Sequence, residues 1–254
     1  DLKKKLSTMT GALTLGVGVG TVVNSVDALS DSMLGLSRLK VSYDSIFGNS
    51  YAATQQLDFV YQQTQQVGLQ FQSSAEAAKT FFAASQGTAL EKDMNNIFSG
   101  IANAAAAMQM PIEDVNGVFL ALGQMVSKGK VQAEELRGQL GERLPGAFRL
   151  AADAMGMSTA ELDKFMADGK LLSEDLLPKL ATALNDKYAE SARRAATEMQ
   201  GSIGQMSTEW EQFKANVMNS EVTGTLIINV KTVLKNQNDN AAQDKERNDL
   251  VSQL

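Results

Sequence analysis

Residues 90–127 read LEKDMNNIFSGIANAAAAMQMPIEDVNGVFLALGQMVS. Two apolar runs with helical spacing stand on either side of one proline. The first predicts a helix from about Leu90 to Met108, including the four alanines Ala104–Ala107. Pro111 suits the first turn of a second helix, where its missing N–H is no loss, and that helix should continue to about Ser127. The same grammar holds on both sides. The chain has only three Pro, and its Gly fall mostly between apolar-periodic runs. Few segments alternate with period two. The best strand candidate, Leu226–Val230, fits a helix equally well. The expected class is all-α: a compact multi-helix bundle followed by a long coiled-coil-like helix.

Upstream, residues Leu6 to Val26 carry no charge and follow Lys3, Lys4 and Lys5. The run admits three readings: a packed or partner-facing helix, a membrane-active segment, or a secretory signal. Ser7, Thr8, Thr10, Thr14, Thr21, Asn24 and Ser25 favour the first of these. Gly16 and Gly20 form a G-x-x-x-G pair, which lets helices approach closely in a soluble or a membrane setting. The chain opens at Asp1 with no initiator Met, so it is expected to be part of something longer. A helix is then expected over Ala28 to Lys40, with Tyr43 to Ser50 as a connection turned by Gly48 and Asn49. Tyr51 to Phe71 is Gln-rich, and Leu57, Val60, Tyr61 and Val67 give it helical spacing. From Val41 to Ala75 the only charges are Asp44 and Asp58. That face is either solvated or laid against another chain or a pore wall. Ser73 and Glu76 form an S-x-x-E capping box, expected to open a helix through Ala84.

Downstream, Lys128-Gly129-Lys130 is a break and Ala133 to Leu140 a short helix. Gly141 and Pro145 interrupt it, and Pro145 can start the next, ending at Gly156. Ser158 with Glu161 is a second capping box. Gly169 ends that helix, and Ser173 caps its successor. From Tyr188, apolar residues recur at Ala192, Ala195, Met199, Ile203, Met206, Trp210, Phe213 and Val217. The steps of three and four make a seam close to a heptad repeat and predict one long helix packed along its length on another. Residues 1–40 thus read as a Gly-rich apolar segment and 41–186 as a helical domain. Residues 187–235 read as the long seam, and 236–254 as polar helix or linker.

Composition removes most chemistry. With no His and no Cys, the chain has no His/Cys zinc site, no thiol nucleophile, no Ser–His pair and no disulfide. A net charge of −6 is a poor start for an electrostatic nucleic-acid binder, so no specific nucleic-acid binding is expected. Gly16-Val17-Gly18-Val19-Gly20 fails the dinucleotide pattern, because Thr21 stands where the third Gly belongs. Gly129-Lys130 fails the phosphate-loop pattern at Gln124 and Val131. Asp27 with Asp31, and Asp163 near Asp168, lack calcium-loop spacing. Glu134, Glu135 and Glu142 are the best carboxylate candidates for a hydrolase. Arg137 and Arg143 are interleaved with them, which reads as a salt-bridged helix surface. No cofactor, metal or catalytic residue is expected.

The stretch Ser127 to Leu184 resembles the tape measure domain of long-tailed phage tail proteins. The residues that carry the likeness come in order. They are Lys128-Gly129-Lys130, Glu134-Glu135-Leu136-Arg137-Gly138-Gln139-Leu140 and Gly141-Glu142-Arg143-Leu144-Pro145-Gly146-Ala147. Met155-Gly156-Met157-Ser158-Thr159-Ala160-Glu161-Leu162 and Gly169-Lys170 follow. Looser agreement extends the likeness to about Gly11 to Val217. The resemblance implies a structural, non-enzymatic protein of the virion tail lumen, assembled in the host cytoplasm. It implies a role in tail assembly and tail length, and exit from the tube ahead of DNA. Implied partners are tail tube and tail-tip proteins, a tail assembly chaperone and further copies of the chain, with host membrane contact during ejection. Two other classes stay open: a membrane-active or channel-forming protein resting on Leu6 to Val26, and a cell-wall hydrolase. Arg137, Glu142 and Arg143 are either a contact site for a tail component or a locally paired structural turn.

Overall fold

The computed structural model describes residues 34–198. Of the two units into which the chain divides, Ser37–Ser207 holds nearly all of them. The other, Asp1–Leu36 with Thr208–Leu254, lies almost wholly outside the described residues. So do Gly16, Gly20 and the seam positions Met199, Ile203, Met206, Trp210, Phe213 and Val217.

The described part is all-α. Helix α1 covers residues 34–47, α2 Ser50–Val67, α3 Phe71–Ser85, α4 Met94–Ala107 and α5 Ile112–Lys128. A π-helical segment, Glu134–Leu140, runs into the single turn α6, Gly141–Arg143. Helices α7, Ala147–Ala154, and α8, Thr159–Ala167, precede the longest, α9, Ser173–Glu198. No strand forms among the described residues. One isolated antiparallel bridge joins Lys130 to Leu172.

Phenylalanine sets the core. The Phe98 ring on α4 lies 5.5 Å from Phe119 on α5, 5.8 Å from Phe82 on α3 and 5.9 Å from Phe59 on α2. Tyr43 and Phe47 extend the cluster onto α1, each ring about one ring-width from Phe82 at 6.0 and 6.2 Å. Tyr43 is fully buried, and its O–H donates to the Ala75 carbonyl at 2.9 Å. Burial, with the Glu76 carboxylate adding to it, pushes the Tyr43 phenol well above its usual range.

The most extensive helix pair is α4 on α9, followed by α3 on α5. Helix α4 meets α9 at Gly100, where a Cβ would stand 2.8 Å from the Ala181 carbonyl oxygen and 3.1 Å from the Ala181 Cα. Only hydrogen fits there. Beside this contact runs a line of amides. Asn103 donates to Asn185 at 2.7 Å, and Asn185 donates to the Asn96 side chain at 2.9 Å. Asn96 reaches Thr182 at 3.4 Å. Helix α2 joins α4 in the same way, through Gln56 to Asn95 at 2.8 Å and Ser99 to Gln63 at 3.0 Å. The Gln-rich helix is therefore part glue and part solvent face, with Gln55, Gln62 and Gln66 exposed.

Several sequence expectations need correction. Tyr43 to Phe47 is helix, not connection; only Gly48 and Asn49 turn. Tyr43 and Phe47 are four apart, so helical geometry puts both rings on the cluster. Helix α2 stops at Val67 rather than Phe71, because Gly68 takes a left-handed conformation and the Leu69 N–H closes onto Thr64 at 3.0 Å. Helix α3 starts at Phe71, whose buried ring packs edge-on to Tyr61 at 5.6 Å. Ser73 and Glu76 therefore lie inside the first turns and form no capping box: Ser73 donates to Gln70, and Glu76 pairs with Lys79. Pro145 does not start a helix; Gly146 precedes Ala147, the first residue of α7. The helices expected from Ser173 and from Tyr188 are one element, because Leu176, Leu180, Leu184, Ala192 and Ala196 form one buried stripe. The box at Ser158 and Glu161 forms fully, and its hydrogen bonds hold the Glu161 carboxyl below the usual range.

Gly100→Ala should therefore lower unfolding stability by about 1–3 kcal/mol, the usual cost of overpacking against backbone that cannot yield. A urea midpoint equal to that of the wild-type chain would show that α4 and α9 are not in fixed contact at this point.

Candidate functional site

The block that gives the sequence its character, residues 128–146, closes into a lobe at the end of α5. Gly129 ends that helix in a left-handed conformation. The chain then pairs briefly with the segment entering α9. The Val131 N–H donates to the Leu171 carbonyl at 2.9 Å, and the Ser173 N–H donates to the Gly129 carbonyl at 3.2 Å. These bonds tie the two ends of residues 131–171 together, so the π segment, α6, α7 and α8 form one closed excursion between α5 and α9.

Glu135 is the residue that sequence reasoning misplaced. It is not part of an exposed charged surface but is 0% exposed. One carboxylate oxygen meets the Lys128 ammonium, and the other is buried with no hydrogen-bond partner. Lys128 also donates to Gln132 at 3.0 Å. The carboxylate raises the Lys128 ammonium above its ordinary range, first by hydrogen bonding and then by charge. The cause of the burial is the π segment. Over five residues an α-helix turns to about 140° from the starting direction, whereas i→i+5 bonding brings such residues onto one side. Glu135 and Leu140 are five apart and both buried. An α-helical period could not have revealed this.

Arg137, Glu142 and Arg143 do not pair with one another. Arg137 reaches Asp163 on α8 at 2.9 Å and lies over the Phe148 ring at 4.0 Å. Arg143 donates to the Gln139 carbonyl at 2.8 Å and comes within 4.0 Å of Asp114 on α5. It occupies a notch at Gly117, where a Cβ would fall 2.0 Å from Nε. Glu142 is exposed and makes no ion pair among the described residues. Arg137 thus ties the π segment to α8 within the excursion, and Arg143 ties the excursion to α5; about half of the Arg137 side chain and a third of the Arg143 side chain stay open to solvent. A fully buried Glu135 cannot reach a polysaccharide, so it is no candidate acid for a hydrolase. Among the described residues no group of three acids could hold a metal ion, and no helix is long and apolar enough to cross a membrane.

The family model described as tape measure protein matches residues 15–219. The chain belongs to the tape measure protein family. Members are structural proteins rather than enzymes. A probable tape measure protein of Salmonella phage Felix O1 (isolate Felix O1-VT1) is 37% identical over 183 residues. That alignment covers 71% of this chain and 24% of the relative, so the chain spans about a quarter of the length of the tape measure protein it matches. No solved structure matches the chain. The family match covers the whole lobe and both arginine anchors.

Gly117→Ala tests the notch. It should unseat Arg143 while leaving stability within about 1 kcal/mol of wild type, since exposed ion pairs contribute little and Ala favours helix. A loss above about 2 kcal/mol, read by denaturant unfolding, would mean that the notch is packed core and not a seat for a movable side chain.

Proposed function

We propose that this chain is the folded part of a phage tail tape measure protein, a tail structural protein that takes part in determining tail length. It acts during assembly inside the tail tube and leaves the tube ahead of DNA. Its partners are tube and tip proteins, an assembly chaperone and further copies of itself. The family match supports the tail role. The observation that refines it is how far the chain folds back. The longest described helix has 26 residues, about 39 Å at 1.5 Å per residue. As one helix, residues 34–198 would run about 250 Å. A segment that turns back at Gly48, Gly68, Gly129 and Gly146 is a poor ruler and a good head. The ruler is then carried by chain beyond the long helix α9. The Arg137–Phe148–Asp163 and Arg143–Gly117 anchors, with exposed Glu142 between them, are the surface offered to a tail component.

Electron microscopy of particles made without this gene tests the role. Absent tails, or tubes of scattered length, are expected. Normal tails of uniform length would overturn it. In particles carrying Arg137→Glu with Arg143→Glu, tail formation should fail while the purified chain keeps its helical content. Normal tails with that pair reversed would remove the lobe from the assembly contact.

A further inference from the structure

We infer that residues 134–140 are a two-register latch. The π register buries Glu135 beneath Lys128, and an α register turns Glu135 out to solvent and moves Arg137 and Arg143 with it.

Three observations carry this. First, both registers serve the apolar core equally. Leu136, Leu140 and Leu144 are all buried and follow at intervals of four, which an α-helix also keeps on one stripe. The residue whose environment changes between registers is Glu135, which lies on the Leu140 side only when bonding is i→i+5. Secondly, the π register carries a local penalty that the α register lacks. One oxygen of a fully buried carboxylate has no partner. A buried charge is tolerated only while its counter-charge is in place. Lys128 supplies it, and nearly half of the Lys128 side chain is open to solvent. The clamp on a buried group can thus be reached from outside. Thirdly, the end that follows the segment can absorb a one-residue shift. The chain after α6 passes through Leu144 with φ −119 and ψ 82, then Pro145, then Gly146 at φ +86 with open space around it. That is hinge geometry, and α7 need not rotate when the segment before it does.

The charges around the pair leave Lys128 in sole control. On the segment itself, Glu134 acts on Lys128, while Arg137 is held by Asp163 and Phe148. On α6, Glu142 points to solvent and Arg143 is held by Gln139 and Asp114 on α5. On α7, Arg149 comes within 4.0 Å of Asp153. Lys130, which forms the isolated bridge with Leu172, is exposed. Loss of the Lys128 charge, or its capture by an acidic group of an assembly partner, should release the latch. Release would pull Arg143 from the Gly117 notch and so couple the register to the surface offered outside.

Nuclear magnetic resonance of the whole, isotope-labelled chain tests this, since the two registers give different backbone contacts. In the wild-type chain, contacts between residues five apart should appear across 134–140. In Lys128→Met they should be replaced by contacts four apart, with the segment still helical. Lys128→Met with Glu135→Met, which removes the buried charge, should return the contacts to five apart. Unchanged five-apart contacts in Lys128→Met would overturn the latch, as would loss of all helical contacts in the segment. Raising the pH of the wild-type chain gives the same reading if Lys128→Met does not fold. Lys128 is held protonated above its ordinary ~10.4, so the π register should persist to about that pH and give way as pH rises beyond it. A π register unchanged where Lys128 is deprotonated would also overturn the proposal.

Discussion

The ring of Phe98 has no exposure to solvent and touches rings carried by three other helices. That burial is the constraint on which the bundle depends. Helices α2, α3 and α5 each contribute a ring to the same cluster, and Tyr43 and Phe47 bring α1 to its edge. Rings at 5.5–6.2 Å gain from stacking and edge contacts as well as from leaving water. None of these five helices, α1 to α5, can shift without uncovering part of a neighbour's ring. The apolar content of the chain, 44%, is ordinary, so it is the gathering of these few aromatics at one point that gives the core its definition.

Helix α9 is attached to this core differently. It offers no ring to the cluster. It is seated by the absence of a side chain at Gly100 and by the amides of Asn96, Asn103 and Asn185. Close approach supplies dispersion along the contact, and the amides fix one register among the several that an alanine-rich face would allow. Farther along, Ala196 lies over Gly68, whose Cβ would come 3.1 Å from the Ala196 Cα. The longest helix is thus fastened at two small-residue points, one at Gly100 and one at Gly68.

The sequence made helices legible where punctuation is local. Gly129, Gly156 and Gly169 stop helices where expected, and Ser158 with Glu161 caps as the S-x-x-E spacing says. It misled where a tertiary contact overrode local preference. Ser73 and Glu76 have the same spacing but fall inside α3, since Phe71 had to enter the core and took the helix start with it. Tyr43 to Phe47 looked like part of a connection because the turn formers Gly48 and Asn49 follow it, yet both rings are needed by the cluster. Glu135 was illegible for a different reason. A π segment changes the period itself, so a residue that an α-helix would put outside comes in. The arginine anchors were visible as residues, but their partners Asp163, Phe148, Asp114 and Gly117 are distant in sequence and came only with the fold. The family likeness rested on the order of motifs through residues 127–184 and, with looser agreement, on about Gly11 to Val217, close to the residues 15–219 that the family model matches.

Hydrogen exchange of the 254-residue chain, compared with its Phe98→Ala variant, reads how far the bundle depends on this ring. If the bundle is organised around that ring, Phe98→Ala should cost about 3–5 kcal/mol. Protection in α2, α3, α4 and α5 should then fall together, by a similar factor. A loss of less than about 1 kcal/mol, or faster exchange confined to α4, would contradict it.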